Sequence, residues 1–349
     1  VESLAQCGIR NIVVVVGYKG EQVQDYLGSG EQLGVDVRYV FQRQQLGTAH
    51  AREVAGEEFL VLSGDNIIGQ DTLSCLMTAA PNMMLVKKQR DPGKYGIVSK
   101  DNGALKDIKE EPDKTGVHLA NTGIYLFSRE IFDFIGGETE IPSVLRKMTS
   151  SGHKIGVCET CATWQDVVYP WDILRLNEAV LEGISSCSGG TIEQGVVIKS
   201  KVSIGKGSII RANSYIVGPV VIGEGCEIGP SVCILPATTI GDNVSLLPFT
   251  EVRNSVIGSD VIIGSGSMIH DSVIDRGCFL KGHFTARSGE TEVKVDSEHH
   301  LVEMGTMIGE RCTIDDNVVV QPGIPIGTLS RIGALKVVDG EIQERSFVI

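Results

Sequence analysis

Positive charge is scarce in this chain. Lysine and arginine total 31 against 44 aspartates and glutamates, the net charge is −13, and no basic run interrupts the sequence. A nucleic-acid or anionic-membrane partner is therefore not expected. Aromatic residues are only 5% of the chain, so aliphatic side chains must fill its cores. No apolar run is long enough to cross a bilayer and no signal peptide is present. The nine cysteines show neither CxxC pairs nor metal spacing. Cys226 and Cys233 read as small packing residues in a reducing, cytoplasmic setting. An initiator methionine is missing as well. The chain opens on Val1 inside an amphipathic stretch (Val1, Leu4, Ala5, Ile9), which reads as a fragment without its head.

What the back half has is a period of six. Ile192, Ile198, Ile204, Ile210, Ile216, Ile222, Ile228, Ile234, Ile240, Leu246 and Val252 follow one another without a break. After a one-residue slip come Ile257, Ile263 and Ile269; after a gap, Ile308, Ile314, Val320, Ile326 and Ile332. Small or β-branched residues stand four positions after each aliphatic, as at Val202, Ser208, Val220 and Cys226. Six matches neither the helical period of 3.6 nor the strand period of two. It matches a parallel β-helix with triangular coils, one hexapeptide per side, the aliphatic pointing inward and Gly or Asn taking the positive-φ turns.

The front half alternates strands with helices. Ile12 to Val16 reads as a strand buried on both faces. Glu21 to Leu27 reads as a helix, and strands follow at Val35–Phe41, Phe59–Leu62 and Met83–Lys87. Further strands are expected at Gly96–Ser99, Ala104–Lys109 and Gly123–Phe127, and a helix at Glu140–Ser150. This pattern indicates a three-layer α/β domain with a mostly parallel sheet. Pro170 opens a helix bridging the two parts, and Ser185–Gly190 is a small-residue joint. The expected domains are residues 1–184 and 185–349.

Ligands in open α/β sheets bind beyond the carboxyl ends of strands. QRQQLGTAHA (42–51) sits at such an end. Gln42 offers an amide with donor and acceptor edges, Gly47 permits close backbone approach, and Thr48 can cap the next helix. An ordinary strand–turn–helix joint is the plain alternative. Asp65, after LVLSG, is a carboxylate at a strand's mouth, and Asp172 lies on the first turn of the Pro170 helix. Each could equally be a cap.

VVVVGYKGEQV (13–23), FQRQQLGTAHA (41–51), LSGDN (62–66), KYGIV (94–98), IKEEPD (108–113), NTGIYLF (121–127) and YPWDIL (169–174) together resemble the sugar-1-phosphate nucleotidylyltransferases. With the β-helix behind them, they resemble the bifunctional enzymes of nucleotide-sugar synthesis. The resemblance implies a Rossmann-like nucleotidyltransferase domain, lacking its first strand and Gly-rich loop, followed by a left-handed β-helix. It implies Gln42, Gly47 and Thr48 as nucleotide contacts for UTP or dTTP. Gly96, Glu110 and Asn121 would be sugar contacts, and Asp65 and Asp172 the Mg2+ ligands and catalytic pair. Glu111 stands where the family often has Lys. Ser288 stands where bifunctional relatives carry the His base for acetyl transfer from acetyl-CoA, with Arg287 matching. The β-helix then serves as a homotrimer scaffold. An acetyltransferase and a non-catalytic regulatory subunit are the competing readings.

Overall fold

The computed structural model describes residues 1–17, 19–42, 57–90, 95–109, 116–295 and 298–349. By contact the chain divides into two compact units, Val1–Asp166 and Val167–Ile349.

The first unit opens with α1 (Glu2–Gln6), β1 (Asn11–Val16), α2 (Gly20–Leu27) and β2 (Asp36–Phe41). β1 and β2 pair in parallel, Val14 opposite Tyr39, as a two-stranded sheet of their own. The expectation that Ile12 to Val16 is buried on both faces fails, since Val15 is 39% exposed. Ile12 and Val14 pack against Val35 and Val37, and among the described residues no second layer covers the other face.

The remaining elements in chain order are β3 (Glu58–Val61), β4 (Asn66–Ile68), α3 (Ser74–Met77), β5 (Met83–Arg90), β6 (Ile97–Asp101), β7 (Ala104–Lys109), β8 (Val117–Ser128), α4 (Phe132–Ile135), α5 (Ile141–Ser150), β9 (Gly156–Thr160) and β10 (Trp164–Asp166). Six of these strands form one sheet in the order β3-β8-β5-β9-β7-β6. It is not the mostly parallel sheet the sequence suggested. Only β5–β9 runs parallel; the other five pairings are antiparallel. One cause is legible in the chain. Asn102 and Gly103 join β6 to β7 with φ of 48° and 80°, the two positive angles of a tight hairpin turn, and a two-residue turn allows only antiparallel pairing.

The sheet is buried on both faces, as a three-layer domain requires. Met84 and Val86 face the α4–α5 layer with Val144, Leu145 and Met148. Leu85, between them, faces Leu73, Leu76 and Trp164. Packing α3 against β9 also joins Cys75 to Cys158, 83 residues apart, in a disulfide. Two of the nine cysteines are therefore cross-linked rather than scattered thiols, a pairing that no local spacing announces.

The second unit begins with α6 (Asp172–Glu182) and continues as three parallel sheets of eight, nine and eight short strands. Val202 pairs with Val220 and Val220 with Thr238, 18 residues per coil. The next two coils have 17, Ile240 pairing with Ile257 and Ile257 with Ile274. Ile274 then pairs directly with Ile308 across an inserted antiparallel hairpin, Gly289–Val295 with Glu298–Met304. The apparent gap in the hexads is thus partly filled, because Ile274, Leu280 and Ala286 continue the inward column after a second one-residue slip. Nearly every aliphatic in the column is sealed from solvent, although Ile192 on the first turn is 42% exposed.

Positive φ recurs at the corners, on Gly207, Asn213, Gly225, Ser231, Ala237 and Asn243. The glycine directly after an aliphatic has another role. A Cβ on Gly223 would lie 2.6 Å from the carbonyl carbon of Gly241 in the next coil, so only glycine lets adjacent coils stack there.

The bridging helix goes with the solenoid. Asn177 on α6 donates to the Ala237 carbonyl at 2.8 Å and accepts from the Thr239 hydroxyl at 2.5 Å. By contact, the boundary accordingly falls at 166/167.

Candidate functional site

The chemistry-bearing segments of the first unit meet around one irregularity. Between Met84 and Val86 on β5 the register of β8 jumps from Tyr125 to Asn121, a bulge spanning the NTG segment. Gly123 in it has φ +72°, which glycine adopts without strain. Bulges of this kind re-aim side chains and are common beside active sites. Thr122, buried in the bulge, ties its hydroxyl to the Leu85 carbonyl at 2.7 Å.

Both expected sugar contacts in the described residues adjoin this bulge. The Asn121 N–H donates to the Gly96 carbonyl at 2.8 Å, and a Cβ on Gly96 would come within 3.9 Å of the Asn121 Cβ. The Asn121 amide is oriented from both ends. Its Nδ2 donates to the Tyr125 hydroxyl at 2.7 Å and its Oδ1 accepts the Gly123 N–H at 3.2 Å. Burial pushes the Tyr125 hydroxyl up to about 12, so it stays a neutral partner for the amide.

The bulge's other neighbour is the SGDN turn. The space beside Gly123 is closed by the Ser63 hydroxyl, 3.4 Å from where a Cβ would stand. The indole N–H of Trp164 bridges Asn66 Oδ1 at 2.5 Å and the Thr122 carbonyl at 3.1 Å, locking turn and bulge together. Asp65 itself is exposed at the mouth of β3. Its Oδ1 accepts the Asn66 amide at 2.9 Å, and its other oxygen has no partner among the described residues.

A carboxylate that the sequence reading passed over completes the group. β4 and β10 pair antiparallel, setting Asp166 opposite Asn66, next in the chain to Asp65. Asp166 accepts a short hydrogen bond from the Tyr95 hydroxyl, and the Tyr95 ring packs on Trp164 with centroids 5.1 Å apart. The alternation Trp164-Gln165-Asp166 was the available signal, since residues two apart share one face of a strand. Lys87 braces the approach to β10 by donating to the Ala162 carbonyl at 2.8 Å, and burial pulls its pKa down.

Asp172 belongs to the second unit and is described with it. Its side chain is 5% exposed, and Oδ2 accepts the backbone N–H groups of Val168 at 3.1 Å and Tyr169 at 2.9 Å. That carboxylate ties down the loop ahead of α6 rather than capping the helix, whose N-cap position is Trp171.

Gln42 lies half-buried at the carboxyl end of β2, its N–H bonded to the Val16 carbonyl at 2.8 Å. Gly47, Thr48 and Glu110 lie outside the described residues. On the β-helix, Ser288 bonds Asp271, His299 pairs with Glu292 at 3.1 Å, and His283 occupies a corner with φ 57°. A histidine the sequence reading did not single out, His270, is held by Glu251 at 2.8 Å.

Residues 1–183 match the family model described as nucleotidyl transferase, and residues 219–254 that of the bacterial transferase hexapeptide (six repeats). The chain is 31% identical over 359 residues to the bifunctional protein GlmU of Methanocaldococcus jannaschii, covering 97% of this chain and 86% of that one. It is also 31% identical over 363 residues to the bifunctional sugar-1-phosphate nucleotidylyltransferase/acetyltransferase of Sulfurisphaera tokodaii, covering 98% and 89%. A low-salt glycan biosynthesis nucleotidyltransferase of Haloferax volcanii is 30% identical over 295 residues, covering 79% and 82%. The chain therefore belongs to the nucleotidyl transferase family, in the branch of sugar-1-phosphate nucleotidylyltransferases that carry a left-handed hexapeptide-repeat β-helix.

Proposed function

We propose that the protein joins UTP or dTTP to a hexose- or N-acetylhexosamine-1-phosphate, with Asp65 and Asp166 as the carboxylates that hold Mg2+. The observation that carries this reading is the β4–β10 pairing, which sets Asp166 opposite Asn66 and so beside Asp65. Both side chains offer hard oxygen donors, Asp65 accepting a bond from the Asn66 amide and Asp166 one from the Tyr95 hydroxyl at a single oxygen each. Among the described residues no group of three or more His, Cys, Asp or Glu gathers into a closed cage. One or two carboxylates, with substrate phosphates completing the shell, is the arrangement Mg2+ ordinarily takes. When bound there it would neutralise charge on the phosphates.

The protein's part is positioning. A sugar-phosphate oxygen attacks the α-phosphorus in line. The new O–P bond forms as the bond to the bridging oxygen breaks, and pyrophosphate leaves with that electron pair. No protein nucleophile is needed. Gln42 with Gly47 and Thr48 reads the base, and Gly96, Glu110 and Asn121 receive the sugar hydroxyls. Asp172 shapes the loop that follows Asp166. Residues 1–184 carry this activity, and the β-helix of 185–349 assembles three copies. Support for the assembly comes from one outward column of a single sheet, where Val197, Tyr215, Met268 and Val337 are all exposed. The reading stops short of acetyl transfer, because the place of the expected His base is held by Ser288, which is bonded to Asp271.

The test is Asp65→Asn in the full-length protein, assayed for Mg2+-dependent pyrophosphate release with UTP or dTTP and a panel of sugar-1-phosphates. Turnover should fall about 100-fold or more, as expected when preorganised charge stabilisation is removed. Native turnover would take Asp65 out of the site.

A further inference from the structure

Tyr95 stands where several parts of the first unit meet. The next residue, Gly96, accepts the Asn121 N–H at 2.8 Å, and Ile97 opens β6 and pairs with Ala120 on β8. The backbone at Tyr95 is thereby fixed beside the NTG bulge. Its half-buried ring packs against the cluster of Leu73, Leu85, Ile124 and Trp164, with the ring centroids of Tyr95 and Trp164 5.1 Å apart. From this apolar support the hydroxyl donates to Asp166 Oδ1.

The strand that carries Asp166 is held from the same place. Trp164 precedes Asp166 by two on β10, and its indole N–H bridges Asn66 Oδ1 at 2.5 Å and the Thr122 carbonyl at 3.1 Å. Asn66 in turn donates to Asp65 Oδ1 at 2.9 Å. One pair of rings therefore ties both carboxylates to the bulge, Asp65 by way of Asn66 and Trp164, Asp166 by way of Tyr95. All of these residues belong to the first unit. Packing does not account for the hydroxyl, since phenylalanine would fill the same space against Trp164. What the hydroxyl adds is the bond to Asp166. It occupies Oδ1, while Oδ2 has no partner among the described residues. A carboxylate so held is oriented and still has an oxygen to give to a cation.

We propose that Tyr95 is a positioning residue for the Mg2+ site, its hydroxyl holding Asp166 in the orientation that takes the metal. This rests on the reading of Asp65 and Asp166 as the metal-holding pair. An unheld aspartate gives up its rotamers when it binds a metal, and that cost weakens binding. Carboxylates that ligate metals are themselves hydrogen-bonded for this reason, and losing such a partner typically costs 10- to 100-fold in metal affinity or activity.

The first test is Mn2+ binding to the full-length protein without substrate, followed by electron paramagnetic resonance. Tyr95→Phe keeps the ring and removes only the hydroxyl, and it should raise the Mn2+ dissociation constant about 10-fold. Asp166→Asn is the reference and should weaken binding at least as much. A native constant in Tyr95→Phe beside a weakened Asp166→Asn overturns the positioning role and leaves the metal reading standing. Native constants in both variants remove Asp166 from the metal site, and the role of Tyr95 falls with it. The second test is pyrophosphate release against Mg2+ concentration. In Tyr95→Phe the half-maximal Mg2+ concentration should rise about 10-fold, while the rate at saturating Mg2+ and the KM for sugar-1-phosphate stay within about threefold of native. A rate that stays low however much Mg2+ is added would mark a structural loss and overturn the positioning role.

Discussion

Asp166 and Asp172 are six residues apart, and the structure gives them opposite chemistry. Asp172 is 5% exposed, and one of its oxygens takes two backbone N–H bonds at 3.1 and 2.9 Å. Replacing it with asparagine keeps the shape and one acceptor oxygen but removes the charge. Hydrogen bonds to a charged group contribute roughly 1.5–3 kcal/mol, and a buried donor left weakly paired loses about that much. The negative end of a carboxylate on the first turn of α6 is lost as well, about 0.3–1 kcal/mol. Taking about 1.5–3 kcal/mol for the whole change, a unit of this size should melt roughly 3–12 °C lower. Its residual turnover should remain within about tenfold of native. Asp166→Asn should do the reverse. Its carboxylate faces the SGDN turn, so Tm should hold within about 2 °C while pyrophosphate release falls about 100-fold or more. Differential scanning fluorimetry and a coupled pyrophosphate assay on the same two preparations decide the matter. Abolished turnover with an unshifted Tm in Asp172→Asn, alongside an active Asp166→Asn, would refute the assignment and put Asp172 in the metal site.

Light scattering of the full-length protein at micromolar concentration should give three times its monomer mass, and a clean monomer would contradict assembly through the β-helix. The second expectation concerns acid. Burial works against the charged form of Asp271, yet bonds from Ser288, Asn254 and Arg253 outweigh it and hold the carboxyl below its usual range. A depressed folded pKa adds stability above the unfolded value of about 3.9, and that stability is lost as pH falls through the folded value. Asp271→Asn should therefore narrow the drop in Tm between pH 7 and pH 3, whereas an unchanged drop would show that Asp271 carries no linked proton.

The β-helix was legible in the sequence because each coil touches only its neighbours. Inward aliphatics such as Ile210 and Ile234 recur at the spacing that stacks them, so a local period encodes the whole solenoid. Asp65 was legible for a related reason: LVLSGDN is a strand and its exit turn, contiguous in the chain. Direction of pairing in the front sheet was not, apart from the Asn102-Gly103 turn, because β8 pairs with β3, β5 and β6, all earlier in the chain, and not with its chain neighbour β7. The Cys75–Cys158 disulfide joins residues 83 apart and depends on how α3 settles on β9. Asp166 and Asp172 look alike as carboxylates one short loop apart. Only the fold separated them, turning one onto the strand beside Asn66 and burying the other beneath its own loop, since burial and pairing belong to neighbours that the chain brings in from far away.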